Sequence, residues 1–284
     1  MHIPQDLLNG QMCPVTAAVS AVGVAAAVVV AMKSKEKPSA GRFAAITAFI
    51  FAAQMMNFPV QHGTSGHLLG GMLASALMGT PFGILAMALV LAIQSLVFSG
   101  GGLGVLGANV LNMAVIGAGM GSLTGRGFFK SMPKALALGL LAFVSVLAAA
   151  FACSAELAIA GTVPFSRVLP AMLSVHALIG IGEALLTVAA YYLLSENRFA
   201  KASSGWKISA PLLGALLIGT MLSPFASAWP DGLEWVAAKY NFLPTSAHVF
   251  VSPFSGFAGV LLVFAAAWIF LKSLTLSSRL RLEN

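Results

Sequence analysis

The sequence predicts an all-α polytopic membrane protein of about nine transmembrane helices, on three observations. First, 59% of its 284 residues are hydrophobic and only 8% are charged, with a mean hydropathy of +0.94, whereas a soluble domain carries about 25% charged residues. Second, long apolar runs recur along the whole chain. Third, the basic residues fall in short clusters between these runs, so the net charge of +7 indicates loops at a membrane surface and no nucleic-acid partner.

Nine apolar segments can be drawn, and a polar stretch, SENRFAKASSGWK, separates the first seven from the last two. The third is short for a full crossing, so we expect it to be tilted or to lie inside the bundle behind its neighbours. Two domains follow, residues 1–195 with seven helices and residues 196–284 with two. The segments lie near 12–32, 43–58, 67–79, 82–99, 108–124, 135–160, 170–194, 208–225 and 254–272.

The distribution of lysine and arginine predicts the orientation, because positive residues accumulate in short cytoplasmic loops. If the N-terminus is outside, only Arg167 and Lys239 lie in outside loops. We therefore expect an N-out, C-in topology, with His2 facing the extracytoplasmic side. The inside loops then hold Lys33, Lys35, Lys37, Arg42, Arg126, Lys130, Lys134, Arg198, Lys201, Lys207, Lys272, Arg279 and Arg281.

The first two residues, Met1 and His2, can chelate a metal ion. The Met1 amine and the deprotonated His2 amide close a five-membered ring, and that amide and the His2 imidazole close a six-membered ring. Three nitrogens then lie in one plane with one corner open, which suits Ni(II) and Cu(II) and also accommodates Co(II). We expect Met1 to be retained, because aminopeptidases generally remove methionine only before small residues. The alternative is that His2 has no role.

Two histidines in NFPVQHGTSGHLLGG are candidates for the open corner. His67 begins a predicted apolar helix, where an ionisable side chain is usually functional. We interpret His62 as a loop residue that faces solvent or lines the access route. Thr64 and Ser65 are predicted to cap the helix that starts near His67 and to orient its imidazole through hydrogen bonds.

Four motifs in order resemble the CbiM/NikM family: MHIP, AAQMMNFPVQHGTSGHLLGG, GANVLNMAVIG and HALIGIGEALLT. Members are the cobalt- or nickel-binding substrate subunits of energy-coupling-factor ABC transporters. The resemblance covers most of residues 1–195, and the last two helices with their PDGLEW loop resemble a fused accessory subunit of the nickel type. It implies a metal held by the Met1 amine, the His2 amide and imidazole, and the His67 imidazole. Gln5-Asp6 replaces the family's usual Asp-Gly, a departure outside this ligand set.

The resemblance further implies high-affinity capture and uptake of Ni²⁺ or Co²⁺ at a prokaryotic inner membrane. Its implied partners are a transmembrane coupling subunit and two cytoplasmic ATPase subunits. The sequence contains no G-x-x-x-x-G-K-[ST] motif, so ATP energy is expected to come from the partners and the chain is not expected to be an enzyme. Planar nitrogen ligation and the PDGLEW loop favour nickel over cobalt.

Polar side chains in the apolar segments have two open interpretations. They either orient His67 and the N-terminal arm by hydrogen bonds or simply link helices. The polar side chains are Gln54, Asn57, Gln94, Asn109 and Asn112.

Small residues at Ala17, Ala21 and Ala25 let another helix approach closely, either within this chain or on the coupling subunit.

His176 and Glu183 lie on one face of the seventh segment. They form a proton relay, a transient metal site or a helix-packing pair, and the glycines Gly180 and Gly182 favour packing. A self-sufficient ion-coupled metal carrier that uses this pair as its proton path is the rival function. A metalloenzyme is disfavoured, because four protein nitrogens leave no corner open for substrate.

Two outside loops carry further candidate residues. SGGGLGVLG, at 99–107, is interpreted as a flexible cover over the metal pocket, because glycines permit close approach and hinge motion. The loop at 229–250 carries Asp231, Glu234 and His248, which could concentrate cations. For this second loop we favour a structural or gating contact with the metal-binding half over a second metal site.

Overall fold

The computed structural model describes residues 2–8, 10–61, 63–98, 100–195, 205–242 and 253–280, with backbone alone at 128, 253–254 and 277–280. These residues are mainly helical, and a 3-10 turn at Gln5–Leu7 precedes the first helix. Strands β1 (Asn57–Pro59) and β2 (Ser65–His67) form an antiparallel hairpin between α2 and α3. The helices are α1 Met12–Lys33, α2 Ala40–Gln54, α3 Gly71–Met78, α4 Thr80–Val97, α5 Leu103–Leu123, α6 Gly127–Lys130, α7 Lys134–Ile159, α8 Phe165–Leu194, α9 Trp206–Phe225, α10 Gly232–Lys239 and α11 Pro253–Leu280.

Membrane-crossing length is reached by seven helices of the described part: α1, α4, α5, α7, α8, α9 and α11. The apolar helix α2 has 15 residues, about 22 Å. The all-α polytopic class is therefore confirmed, whereas the number of nine crossings and the N-out, C-in orientation stay predictions.

The third apolar segment differs from its prediction as one helix over 67–79. The chain is extended through His67, and α3 has only eight residues, about 12 Å of helix. Gly70, which precedes α3, has a φ of +80°, a left-handed conformation that breaks the helix on its N-terminal side. The prediction that Thr64 and Ser65 cap a helix beginning near His67 is thus wrong. Most of α3 is buried. The segment therefore lies inside the bundle, which was one of the two expectations for it.

The C-terminal helix pair shares a core with the first part of the chain. Helices α9 and α11 pack on α2, and this accounts for the burial of nearly every residue of α2. The side chain of Arg42 is buried and donates hydrogen bonds to the carbonyl oxygens of Leu194 (3.3 Å) and Lys207 (3.4 Å). It thereby joins the ends of α2, α8 and α9. The division at residues 195 and 196 stays a prediction about domains, and the helices on its two sides are in contact.

The opposite end of the bundle gathers the N-terminal arm, the β-hairpin, the α4–α5 connection and α10. The Thr162 hydroxyl, after α7, donates to the Leu7 carbonyl oxygen at 2.7 Å. The Ser65 amide of β2 donates to the Pro230 carbonyl oxygen, just before α10, at 2.8 Å. Segments far apart in sequence therefore meet here, and the candidate site lies among them.

Candidate metal centre

The N-terminal arm is folded into the helix bundle. Ile3, Leu7 and Leu8 are buried. The Ile3 amide donates to the Asn109 side-chain oxygen at 2.8 Å, and the Asn109 amide group donates back to the Ile3 carbonyl oxygen at 3.3 Å. Asn109 thus satisfies both backbone groups of the residue that follows His2, as a neighbouring strand would. This fixes the position of His2 at the end of the bundle.

A chain of hydrogen bonds assigns the tautomer of His2. Gln54 Nε2 donates to the Leu69 carbonyl oxygen at 2.7 Å, and this acceptor fixes the orientation of the Gln54 amide. Gln54 Oε1 then accepts from Gln94 Nε2 at 2.8 Å, so Gln94 Oε1 faces His2 Nε2 at 2.9 Å and accepts its proton. The unprotonated nitrogen of His2 is therefore Nδ1. This is the atom that closes a six-membered ring with the residue's own amide nitrogen.

His67 is held in the other tautomer. It lies in β2 opposite Asn57, and its Nδ1 donates to the Leu68 carbonyl oxygen at 3.0 Å. Because a carbonyl oxygen only accepts, Nε2 is the unprotonated nitrogen. The backbone that follows is anchored by Glu183, whose two carboxylate oxygens accept from the amides of Leu69 (2.6 Å) and Gly70 (2.9 Å).

The two imidazoles lie close enough to share one ion. Their ring centroids are 5.5 Å apart and the ring planes are inclined by 29°. Two imidazoles bound to one ion at about 2 Å per nitrogen hold their centroids roughly 4.5 to 6.5 Å apart, depending on the angle at the metal. The observed 5.5 Å falls within that range and is about 1 Å longer than the roughly 4.5 Å of two rings at adjacent corners of a plane.

Both imidazoles are neutral at neutral pH. Burial lowers the pKa of His2 to about 4. Burial also lowers the pKa of His67 to about 3, against a smaller opposing effect of the Asp231 carboxylate. Since a metal binds the neutral form of imidazole, no proton has to leave either ring before coordination. Cys, Asp or Glu side chains do not join this pair: the described residues contain no group of three or more His, Cys, Asp and Glu arranged to hold an ion.

The other predicted amide residues lie in three settings. Gln54, Gln94 and Asn109 make hydrogen bonds to the segment after His67, to His2 and to Ile3, respectively. Asn112 instead donates to the Glu156 carboxylate at 2.8 Å and so links α5 to α7, in agreement with the helix-linking interpretation. Asn57 is the pairing partner of His67 in the hairpin. Met1 and His62 lie outside the described residues.

Thr64 and Ser65 do not orient the His67 ring as predicted. The Ser65 hydroxyl donates to the Trp229 carbonyl oxygen at 2.7 Å. The Thr64 hydroxyl is buried, with no hydrogen-bond partner in the part of the chain that the structure describes. The sequence alone could not reveal the Ser65 contact, because its partner is about 160 residues away.

His176 and Glu183 are both buried in α8, but each bonds to a different part of the backbone. His176 Nδ1 donates to the Met172 carbonyl oxygen at 2.8 Å, one turn earlier on the same helix. The Glu183 carboxylate anchors the backbone after His67. Gly180 and Gly182 allow close approach, as expected: a Cβ atom would come within 2.9 Å of Phe143 at the first and 2.5 Å of Phe58 at the second.

Two acidic residues have a larger role in the structure than the sequence indicated: Glu156 was not predicted as a site residue, and Asp231 was predicted only as a loop acid. Glu156 is a buried acid in an otherwise apolar helix, a signal that marks intramembrane polar sites. Asp231 lines a narrow cleft together with Gly66, His67 and His176. The sequence identified Asp231 as a loop acid but could not locate it beside His67.

The described part of the glycine-rich stretch, residues 100–107, contacts the arm. A Cβ atom at Gly101, where φ is +80°, would come within 2.6 Å of Asn109 Nδ2 and 2.8 Å of the Ile3 carbonyl oxygen. Only glycine fits this position without displacing the bond between Ile3 and Asn109. The stretch therefore lies against the arm as the predicted cover would, while its hinge motion stays a prediction.

The alanine stripe of α1 is exposed along its length. Ala17, Ala21 and Ala25 are all exposed. Ala17 also lies against α5, because a Cβ atom at Gly107 would come within 2.4 Å of its Cα atom. The stripe is therefore accessible to a further helix, and its first residue also contributes to internal packing.

The segment that contains PDGLE packs against the hairpin. Ser65 and Asp231 form a parallel β-bridge, and the Ser227 amide donates to the Asn57 carbonyl oxygen at 2.8 Å. Asp231 also caps α10: its carboxylate accepts from the amides of Leu233 and Glu234, and Glu234 completes a capping box. The contact expected between this loop and the metal-binding half is present.

Comparison with known proteins decides the family. The profile of CbiM, described as the cobalt uptake substrate-specific transmembrane region, matches residues 2–200. The chain belongs to the CbiM family. A second profile, the PDGLE domain, matches residues 206–249 and confirms the predicted fusion of a CbiM-family part to an accessory part.

Named relatives of this CbiM-family chain are transport proteins. The putative fused nickel transport protein NikMN of Archaeoglobus fulgidus is 35% identical over 205 residues, which cover 69% of each chain. The fused nickel transport protein NikMN of Rhodobacter capsulatus is 31% identical over 210 residues, 66% of this chain and 59% of that protein. The cobalt transport protein CbiM of Salmonella typhimurium is 31% identical over 159 residues, 53% of this chain and 65% of that protein.

Solved structures agree with the fold. A truncated transition metal transporter aligns with a TM-score of 0.62 and 31% identity, covering 69% of this chain and 99% of the other. A second transition metal transporter aligns with the same TM-score and 26% identity, covering 74% of this chain and 98% of the other. The all-α, multi-pass membrane architecture of a CbiM-family protein is thereby confirmed.

Proposed function

We propose that this chain captures a divalent transition metal, nickel in preference to cobalt, at the outer face of a prokaryotic inner membrane. It acts as the substrate-binding subunit of an ATP-driven energy-coupling-factor transporter. The observation that carries the proposal is the arrangement of His2 and His67. Two buried, neutral imidazoles lie with centroids 5.5 Å apart, each in the tautomer that a planar metal site needs.

The proposed ligands are four nitrogens: the Met1 amine, the His2 amide, His2 Nδ1 and His67 Nε2. The first three form the chelate that the sequence predicts, and His67 occupies the fourth corner. Four nitrogens in one plane favour Ni(II) over Co(II), and the nickel transport proteins among the relatives point the same way. Cu(II) binds such a set more tightly by the Irving–Williams order, so selectivity against copper depends on its availability in the cell.

The supporting residues give this ligand set a fixed geometry. Gln94 and Gln54 set the tautomer of His2, Asn109 holds Ile3, and Glu183 holds the backbone that follows His67. Hydrogen-bond partners of metal ligands typically change affinity by 10–100-fold when they are replaced. In this proposal residues 1–195 form the metal-binding domain and residues 196–284 an accessory domain that packs beside it.

Uptake requires partners in this proposal, because the sequence carries no ATPase motif. The partners are a transmembrane coupling subunit and two cytoplasmic ATPases, with Ala17, Ala21 and Ala25 on the docking face of α1. The rival, an ion-coupled carrier with His176 and Glu183 as its proton path, gains no support from their contacts. Within the described residues each is bonded to backbone groups and neither to the other.

Reconstitution distinguishes the two functions. The chain is placed in liposomes alone, or together with the coupling subunit and both ATPases, and uptake of radioactive nickel is measured with and without ATP. We expect accumulation only with all partners and ATP. When both ions are present, we expect Ni²⁺ to be taken up in preference to Co²⁺. Accumulation by the lone chain under a pH gradient would replace this proposal with the ion-coupled carrier.

A further inference from the structure

A narrow cleft lies between β2, α8 and the start of α10. Its lining includes Gly66 and His67 of the hairpin, His176 of α8, and Asp231 and Gly232 at the start of α10. Two glycines allow the close approach. A Cβ atom at Gly66 would come within 2.8 Å of Ile179, and one at Gly232 within 2.9 Å of both Ile179 and His176 Cε1.

His176 presents an unused metal-ligand atom in this cleft. Its side chain is 1% exposed. Nδ1 donates to the Met172 carbonyl oxygen at 2.8 Å, so Nε2 carries the lone pair, and Nε2 has no hydrogen-bond partner in the described part of the chain. A buried nitrogen acceptor without a partner costs free energy, and such atoms in native structures call for an explanation. The ring edge that bears Cε1 faces Gly232, beside Asp231.

Asp231 supplies a negative charge at the same place. It lines the cleft together with His67 and His176. The chain contains only eight acidic residues, and this one is held beside the histidines by the bridge between Ser65 and Asp231 and by its role as the cap of α10. A carboxylate in this position attracts a divalent cation and repels anions.

We propose that His176 Nε2 and the Asp231 carboxylate form a transit site for the divalent metal on its way into the planar site of His2 and His67. The inference rests on the proposed function. Two protein ligands, with water completing the coordination, hold the ion more weakly than the four ligands of the final site. His67, which lines the same cleft, then replaces His176 as the imidazole ligand.

The transit role has a physical reason. A planar site encloses the ion at four corners, so ligands exchange from above or below the plane. An ion that arrives with its full water shell loses water in steps if an imidazole and a carboxylate bind it first. Imidazole suits Ni(II), and its lone pair is available here without loss of a proton. The site therefore affects the rate of loading and unloading and leaves the final affinity nearly unchanged.

The test measures Ni²⁺ binding and release by stopped flow on the full chain, in micelles, with its native N-terminus. We expect His176→Gln to lower the association and dissociation rate constants together by about tenfold and to change Kd by less than about twofold. Asp231→Asn is expected to act in the same direction by about threefold, and it retains the helix cap because asparagine is as good a cap as aspartate. Ser174→Ala, on the same helix but not among the residues lining the cleft, is the control and keeps the rates of the unchanged chain.

Two results would overturn the inference. Either both variants keep the original rate constants, or they raise the dissociation rate constant alone and weaken Kd, as a structural role in the final site would require. If His176→Gln does not fold, Asp231→Asn decides alone. The proposed function fails separately: it fails if the unchanged chain does not bind Ni²⁺, whereas the transit site fails while that binding is intact.

Discussion

His67 and His176 are two buried histidines of similar chemistry in very different settings. Each donates Nδ1–H to a backbone carbonyl oxygen and leaves Nε2 unprotonated. His67 lies in a strand whose following backbone is anchored by Glu183, whereas His176 lies in the regular helix α8. The same tautomer therefore arises in two ways, from a bond to the next carbonyl oxygen in an extended strand and from a bond to the preceding turn of a helix. We assign the final metal site to the first and the transit site to the second.

The largest effect is expected at His67, the histidine assigned to the final site. His67→Ala removes one of four proposed ligands, and we expect Ni²⁺ affinity to fall by about 1,000-fold or more, equivalent to about 4 kcal/mol. Calorimetric titration of the purified chain measures this. His62→Ala, in the same stretch of sequence, serves as the control and keeps tight binding. Equal losses in both variants would exclude a specific role for His67.

The anchor of the His67 segment is expected to give the next largest effect. Glu183→Gln replaces one acceptor oxygen by an NH₂ group that faces a backbone N–H, so one of the two hydrogen bonds to Leu69 and Gly70 is lost. We expect Ni²⁺ affinity to fall by about 10–100-fold. Thr187→Val, one turn further along α8, is the matched control. Unchanged binding and uptake in Glu183→Gln would show that the anchor does not matter for the site.

The tautomer of His2 offers a smaller change. Gln94→Leu removes the acceptor for His2 Nε2–H and the donor to Gln54. Without them the ring can rotate or exchange its proton to Nδ1, so we expect about a tenfold loss of Ni²⁺ affinity. The exposed Gln61 provides a control, Gln61→Leu, which keeps full affinity. A Gln94→Leu chain that binds as tightly as the unchanged one would contradict the assignment of Nδ1 as the ligand atom.

The smallest effect concerns the glycine contact with the arm. Gly101→Ala places a Cβ atom against Ile3 and Asn109 at a positive φ, a strain of about 1 kcal/mol or more, and we expect a three- to tenfold faster release of Ni²⁺. Gly104→Ala is the matched control, because its Cβ atom would meet Gln5 only at an ordinary 3.6 Å. Equal release rates in both variants would show that the contact between Gly101 and the arm does not slow the release of Ni²⁺.

The sequence predicted the parts of the site that depend on local chemistry. MHIP and the histidine motif pointed to His2 and His67, which the structure places beside each other. Composition and hydropathy predicted the membrane class and a final pair of apolar segments, and the resemblance implied that this pair is a fused accessory part. These signals are readable because each depends on residue type and spacing alone.

The missed features depend on contacts between distant parts of the chain. A helix was predicted over 67–79 because the residues are apolar, but Gly70 breaks it. Glu183, 113 residues after Gly70, holds the extended backbone. The capping prediction for Ser65 was wrong because its partner, Trp229, lies in the accessory part. Asp231 is recognisable as an acid in a loop, whereas its place beside His67 requires the fold.

The central claim, a planar site that includes the amine of Met1, is tested most directly by adding two residues before Met1. The extension keeps His2 and His67 but converts the amine into an ordinary amide, and the same two residues added at the C-terminus are the control. Ni²⁺ affinity and the absorption spectrum of the bound metal are measured for both. We expect tight binding and the spectrum of planar Ni(II) in the control and the loss of both in the N-terminal variant. Tight binding with an unchanged spectrum in the N-terminal variant would contradict the account.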